Sequence, residues 1–209
     1  MRHPLATQPV ASVRSLAIFA VASCVIAFSA SAASAETVTD TADVATVVSL
    51  VSDAAPDGAR PAKTAESEGV FSATTPTTES AIPTDPSDPI EVNTEIAGRS
   101  VSVQIDLPEA LDLDAGQLGA DGTVVYPSEN DATVAVQALG NGDTRVQTII
   151  PDRDATHEAT FGLDGYQAVI DSSGQAGFIQ KGGTGLYVPV EDAWATDANG
   201  APVRTYYEV

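Results

Sequence analysis

The chain contains very little cysteine, tryptophan and basic charge. Its 209 residues include one cysteine, Cys24, one tryptophan, and nine lysines and arginines against 29 acidic residues. A lone cysteine excludes a disulfide within the chain. The net charge of −20 opposes binding to nucleic acid and to anionic membrane surfaces, because both depend on basic side chains. Aromatic residues make up only 5% of the chain, which leaves little surface for a carbohydrate-binding platform.

Long apolar runs are also missing. The apolar stretch at residues 15–28 (SLAIFAVASCVIAF) has fourteen residues, too few to cross a hydrocarbon layer about 30 Å thick. Two arginines precede it, and a run of small residues ends at Ala35, before Glu36. This order of basic, apolar and small residues is typical of a secretory signal peptide. We predict a signal peptide over residues 1–35, cleavage between Ala35 and Glu36, and no membrane span.

Cys24 permits a second interpretation of this leader. It follows Val-Ala-Ser, as a lipid-modified cysteine follows its processing signal in bacterial lipoproteins. Polar residues usually come after such a cysteine, whereas here the apolar run continues to Phe28. The sequence therefore disfavours a lipid anchor at Cys24. Cleavage after Ala35 would also leave the exported chain without cysteine.

Export would concentrate the negative charge. No acidic residue precedes Glu36, and two of the nine basic residues lie in the leader, so seven basic and 29 acidic residues give the exported chain a net charge of −22. Such a charge favours solubility and excludes nucleic acid as a partner. We expect a secreted, extracellular protein, with association to the cell wall as the alternative.

Residues 36–53 contain a helical pattern. Four valines between residues 44 and 51 recur at i, i+3, i+4 and i+7, Asp40 is placed to cap the helix, and Asp43 lies near its positive end. β-Branched residues lower helix propensity. We therefore predict a short amphipathic helix that is stable only if its valine stripe packs on another surface.

Residues 54–95 are rich in Pro, Thr, Ser, Ala and acidic side chains, as in PTTESAIPTDPSDPIEV. Few large apolar side chains occur there, so little burial offsets the entropy lost on ordering. This composition predicts a flexible linker, followed by a folded domain over residues 96–209.

Alternating apolar and polar residues predict about nine short strands in that domain. Residues 101–107 alternate cleanly and are stopped by Pro108. The other predicted strands cover residues 123–126, the hairpin 132–150, and residues 156–163, 167–171, 175–180, 186–190 and 205–209. Short strands joined by glycine-rich turns predict an all-β fold, either an antiparallel β-sandwich or a partly open barrel.

The sequence predicts how the two strands of the hairpin at residues 132–150 pair. A two-residue loop would mix its apolar and polar faces, whereas a three-residue loop sets Val136 opposite Val146 and keeps the apolar face whole. The third loop residue must then be left-handed, which suits glycine. The predicted turn residues are Gly140, Asn141 and Gly142.

The sequence contains no complete catalytic or metal-binding motif. His157 is the one histidine after residue 35, without a cysteine to complete a zinc or copper site. The acidic run at Asp112 begins like a calcium loop but lacks the later ligands, whereas the segment at Asp197 fits the middle of such a loop but lacks its first and last ligands. The glycines at 182–185 lack the following lysine of a phosphate loop. Paired carboxylates for glycoside hydrolysis stay open, because only their spatial separation defines them. We predict no enzyme activity, cofactor or metal.

The C-terminal half carries a family resemblance. The pieces VVYPSENDATVAVQALGNGDTRVQTII, ATHEATFGLD and EDAWATDANGAPVRTYYEV resemble a large group of uncharacterised secreted β-rich proteins of actinobacteria. The most specific piece is AWATDANG at residues 193–200, and the likeness extends weakly to the acidic linker. Similar proteins continue beyond the equivalent of Val209, so the resemblance implies a chain truncated at its C-terminus. It implies no catalytic residue.

These features predict a secreted, non-catalytic β-domain with an interaction or accessory role at or outside the cell envelope. Its partner would be an unknown protein or an envelope component. The alternative is a leader or accessory module of a longer secreted toxin or enzyme whose active segment is missing here. An in-frame continuation of the gene beyond Val209 would favour this alternative.

Overall fold

The structure is a computed structural model that describes residues 24–27, 43–96, 98–128, 132–152, 154–182 and 186–209. These residues form one helix, α1 (Val44–Ala54), and fifteen strands. The strands are β1 (Cys24–Ala27), β2 (Thr64–Ser67), β3 (Val70–Thr74), β4 (Thr78–Pro83), β5 (Ile90–Ile96), β6 (Arg99–Asp106), β7 (Gln117–Leu118), β8 (Val124–Tyr126), β9 (Thr133–Ala138), β10 (Thr144–Ile150), β11 (Gly162–Leu163), β12 (Tyr166–Ile170), β13 (Ala176–Gln180), β14 (Tyr187–Pro189) and β15 (Trp194–Asp197).

The strands form three sheets. The first sheet has the order β15-β1-β10-β9-β8-β7, the second β11-β6-β5-β4-β3-β2, and the third β12-β13-β14. Neighbouring strands are antiparallel except β1, which is parallel to both β10 and β15. Neither large sheet closes into a barrel over the described residues, so the fold is all-β and sandwich-like, as predicted. No helix in this part of the chain is long and apolar enough to span a membrane.

One apolar core joins the two large sheets. Alternate residues of each strand point to it, because side chains alternate across a strand. Val134, Val136 and Val146 of the first sheet and Val92 and Val103 of the second are all buried within it. Burial of this kind supplies most of the driving force for folding.

A buried tyrosine connects the two sheets through a hydrogen bond. The Tyr126 hydroxyl of β8 donates to the Pro83 carbonyl of β4 over 2.5 Å. Burial, with a smaller contribution from the charge of Asp85, raises the pKa of Tyr126 above its ordinary value. The hydroxyl therefore stays protonated and remains a donor.

The β9–β10 hairpin has the predicted register. Val136 lies opposite Val146, and Gly142 adopts a left-handed backbone with φ of 97°. The Leu139 N–H donates to the Asp143 carbonyl over 2.8 Å and closes the three-residue loop. This agreement reflects local chemistry, since glycine at the left-handed position and the apolar face both require the same pairing.

The predicted helix is present, and its valines pack as required. Val47 and Val51 of α1 are fully buried and lie against Val125, Ala135 and Ile149 on the outer face of the first sheet. Asp43 occupies the N-cap position, although its side chain makes no capping hydrogen bond. Asp40, the predicted cap, lies outside the described residues. Because α1 covers the outer face, both faces of β9 and β10 are buried.

The prediction of a flexible linker over residues 54–95 was wrong. Four strands, β2 to β5, lie there and form an antiparallel meander that continues into β6. Phe71, Ala73, Ile82 and Ile90 are buried in the main core. Each apolar residue is isolated in sequence, but alternation collects them on one face. The ordered β-domain therefore begins well before residue 96.

Two predicted strands differ from the structure. Of residues 156–163, only Gly162–Leu163 is a strand, and the preceding residues run as a loop. Residues 205–209 form no strand. Strand pairing needs a partner edge, which alternation within one segment does not supply.

Candidate functional site

A groove on the surface of the domain surrounds Trp194, the first residue of β15. It encloses about 590 Å³ and lies where the end of α1, the β12–β13 turn and the β14–β15 loop meet. The groove is lined by Pro56, Gln175, Pro189, Val190, Glu191, Asp192, Ala193 and Trp194. Its walls are therefore apolar, and its charged groups are carboxylates.

The core holds Trp194 in place. The indole is partly buried and packs against the cluster formed by the α1 valines and the outer face of the first sheet. The next residue, Ala195, is buried, which fixes the start of β15. Trp194 also belongs to the AWATDANG segment that the sequence singled out. It therefore presents a large, ordered aromatic surface to the groove.

Hydrogen bonds at Val190 position the acidic rim. The Val190 N–H donates to the Ala176 carbonyl over 3.1 Å, and the Gln175 side-chain amide donates to the Val190 carbonyl. Val190 itself is buried. Because the backbone is fixed there, the following Glu191 and Asp192 extend from an anchored point and remain exposed to solvent.

The β10 strand of the hairpin contains a buried arginine. The Arg145 side chain is 2% exposed, and its guanidinium donates to both carboxylate oxygens of Asp57, over 2.5 and 2.6 Å. It also donates to the Gln137 side-chain carbonyl over 3.3 Å, and the Gln137 amide donates to the Thr123 hydroxyl over 2.9 Å. Paired burial of this kind is the usual condition for an arginine inside a domain.

Asp57 has a lowered pKa. Partial desolvation opposes its ionisation, but the Ala59 N–H and the Arg145 guanidinium outweigh that effect. Asp57 follows Pro56 directly, so this charged pair adjoins the groove. Asp57 is therefore ionised at neutral pH.

Asp143 has the opposite shift. Burial and the nearby charges of Glu191 and Asp57 raise its pKa to about 6, although the Asn141 side chain donates to it. The ionisation of Asp143 thus depends on the negative charges of Glu191 and Asp57 beside the groove. It changes charge in a pH range where ordinary carboxyls stay ionised.

This shift predicts a pH-dependent stability. A carboxyl whose folded pKa lies above its unfolded value favours folding at low pH, and that contribution is lost as pH rises from about 4 to about 6. Asp143→Asn replaces the carboxyl with an amide that does not ionise, so the variant does not lose stability at this position as pH rises. We expect the variant to exceed the wild type by about 1 kcal/mol in free energy of unfolding at about pH 7.5, after allowance for solvent screening of a half-exposed group.

Urea unfolding at about pH 2.5 and at about pH 7.5 measures the difference. At about pH 2.5, well below the unfolded pKa, the carboxyl is protonated in both states, and the variant and the wild type should have equal stability. A stabilisation that is the same at both pH values would show that charge at Asp143 is not its cause.

Two segments with a partial likeness to calcium and phosphate loops form a local turn or lie partly outside the described residues. The Asp197 carboxylate accepts the N–H groups of Asn199 and Ala201, each over 2.8 Å, and these bonds lower its pKa. Gly182 is described, whereas residues 183–185 are not. His157 lies in an exposed loop. Among the described residues no three His, Cys, Asp or Glu side chains are grouped so that they could hold a metal ion.

The predicted turn and the predicted cleavage site have different outcomes. Gly140, Asn141 and Gly142 form the loop that the sequence specifies. Ala35 and Glu36 lie outside the described residues. Cys24 begins β1, which inserts part of the predicted leader into the first sheet. Sequence reasoning missed the Trp194 groove, and the available signal was the overlap of Trp194 with the most specific family segment.

No family model, curated protein or solved structure matches the chain.

Proposed function

We propose that the chain is a secreted, non-catalytic β-domain with an interaction or accessory role at or outside the cell envelope. The observation that carries the proposal is the groove around Trp194. It combines an anchored indole and two prolines with exposed carboxylates on a fixed loop. Tryptophan is strongly enriched at the centres of protein interfaces, whereas charged side chains belong to their polar rims.

The charges of the groove define the partner that suits it. Glu191 and Asp192 lie on its rim, and the whole chain has a net charge of −20. Opposite charge steers association and disfavours acidic competitors. The partner is therefore a protein segment with basic side chains at the rim and apolar side chains against Trp194.

The residues lining the groove support a binding role over catalysis. Its polar side chains are Gln175, Glu191 and Asp192, and the Gln175 amide already donates to the Val190 carbonyl. A nucleophile paired with a base is not among these lining residues, which fits a surface that recognises a partner. The leader pattern and the family resemblance support secretion.

A matched pair of charge variants tests the proposal. The exported protein is immobilised and exposed to cell-wall extract and culture fluid of the producing organism, and retained proteins are identified by mass spectrometry. Glu191→Gln with Asp192→Asn removes two charges at the groove. Glu66→Gln with Glu79→Gln removes two exposed charges on β2 and β4.

We expect the wild type and the β2–β4 variant to retain the same partner, and the groove variant to retain about tenfold less of it. Equal retention by all three proteins would contradict the proposed groove. A hydrolase activity of the purified protein that is lost on substitution of one Asp or Glu would contradict the non-catalytic role.

A further inference from the structure

The first sheet contains a strand that comes from the predicted leader. β1 lies between β10 and β15, with Val25 beside Thr148 and Ile26 beside Ile149. On its other side, Cys24 pairs with Trp194 and Ala27 with Asp197. Within the described residues, β15 joins this sheet only through β1.

Cleavage after Ala35 would remove β1 and leave a gap between β10 and β15. We call this gap the strand slot, bounded by residues 148–150 of β10 and by Trp194–Asp197 of β15. Two neighbouring strand spacings, about 10 Å, would then separate the strands. Both walls of the strand slot are buried while β1 is in place, since Ile150 and Ala195 are almost wholly inaccessible to solvent in the full chain.

The backbone of β15 is oriented to receive a strand. The Asp197 N–H donates to the Ala201 carbonyl, and the Ala195 carbonyl accepts the Val203 N–H. Both residues therefore direct their backbone groups to the outer edge of β15. N–H and C=O groups alternate in direction along a strand, so those of Trp194 and Thr196 face the slot.

The backbone of β10 has the matching orientation. The Asp143 carbonyl accepts the Leu139 N–H, so alternate residues from Asp143 onwards face β9. Thr148 and Ile150 therefore face the slot. Without a strand between them, both walls carry unpaired donors and acceptors in an apolar setting, which is unfavourable.

We propose that the exported chain binds an extended segment of a partner protein in the strand slot, parallel to β10 and β15. The segment would have about four uncharged, small or β-branched residues without proline, as in the Cys-Val-Ile-Ala of β1, because proline cannot donate to the ladder. This inference rests on the proposed interaction function and specifies which kind of segment the partner contributes. A second exported copy is not the occupant, because cleavage removes residues 24–27 from every copy.

The slot and the groove form one continuous binding surface. The first residue of β1 pairs with Trp194, and the groove is lined by the residues that immediately precede and include Trp194. A partner chain that enters the slot in the direction of β1 would first pass Glu191 and Asp192. Its basic residues therefore lie just before its apolar strand.

A synthetic peptide tests this arrangement. The protein is purified after export, its N-terminus is sequenced, and it is titrated with two lysines followed by the sequence of residues 22–29, with serine in place of the cysteine. Trp194 is the one tryptophan of the chain and borders the slot, so its fluorescence reports occupancy. We expect a saturable change in emission. An exported N-terminus before residue 24, or no saturable change, would overturn the proposal.

Backbone methylation separates the slot from simple edge pairing. The register turns the N–H at the Val25 position towards β15 and the N–H at the Ile26 position towards β10. Two peptides, each with one of these nitrogens methylated, should both bind about tenfold more weakly, because each loses a ladder hydrogen bond and gains a clash. Only the peptide is altered, so folding of the protein is not at issue.

Loss with only one methylated peptide would indicate pairing with a single edge and overturn the slot. If neither peptide loses affinity, strand pairing is refuted. Peptide failure with continued charge-dependent capture of an envelope partner would reject the slot alone. Specific peptide binding with charge-independent capture would instead reject the proposed groove.

Discussion

Gly142→Ala should lower the free energy of unfolding by about 2 to 3 kcal/mol. Gly142 has a φ of 97°, a conformation that costs an L-residue about 1 kcal/mol or more. A Cβ at this position would lie 2.6 Å from the Thr77 hydroxyl oxygen and 2.9 Å from that of Thr78. The expected loss therefore combines backbone strain with a steric contact.

The steric part depends mainly on Thr78. Thr77 is exposed and can rotate away, whereas Thr78 is 4% exposed at the start of β4 and its β-branched side chain is stiff. Thr78 is also fixed by its backbone N–H, which donates to the Thr75 hydroxyl over 3.0 Å. The β9–β10 turn thus packs against the β3–β4 turn, and a methyl group must push them apart.

Gly174→Ala provides the matched control. Gly174 has a φ of 94°, and a Cβ added there meets no atom within 4 Å. We expect it to lose about 1 kcal/mol, the backbone part alone. Urea unfolding followed by Trp194 fluorescence measures both variants. Equal losses would show that the contact with the β3–β4 turn carries no energy.

Asp57→Ala should destabilise the protein more than Arg145→Met. Removing Asp57 leaves the guanidinium buried, with the Gln137 side-chain carbonyl still accepting one of its hydrogen bonds, and a broken buried pair costs about 3 kcal/mol or more. Removing Arg145 leaves Asp57, whose side chain is 39% exposed and can hydrate. That change should cost about 1 kcal/mol, since methionine keeps much of the apolar stem.

The double variant distinguishes charge from packing. If an unpaired buried charge is the main cost of Asp57→Ala, adding Arg145→Met should restore about 1 to 2 kcal/mol of stability. Urea unfolding of the two single variants and the double variant gives this value. Additive losses would assign the effect to packing around Arg145.

The parts of the fold that the sequence predicts are those decided by short segments. The turn at Gly142 and the alternation around Val136 each demand the same hairpin register. The valine stripe around Val47 requires a helix with one buried face. In both cases the information lies within about twenty residues.

Strands β2 to β5 of the second sheet were missed because their apolar residues are sparse. Phe71, Ile82 and Ile90 are separated by Thr, Ser, Pro and acidic residues, and the composition of residues 54–95 resembles that of a linker. Each strand buries few side chains, and only pairing across β3 to β6 assembles them into a continuous face. Average composition hides such alternation.

The candidate site was not predictable for a different reason. Arg145 alternates with apolar residues and would be expected to face solvent, but α1 and the following residues cover that side of the hairpin. Its partner Asp57 lies 88 residues away in sequence. The groove likewise joins three segments around Trp194, and no residue spacing within one segment predicts that the three come together.

The short outer strands of the large sheets limit uncontrolled assembly. β7 and β11 have two residues each, and β2 has four, mostly exposed and including Glu66. The outer side of β15 is occupied by the segment at Pro202 and Val203. Brief, charged or covered edges offer poor templates for fibril growth. The outer edges of the two large sheets therefore offer few sites for strand pairing between molecules.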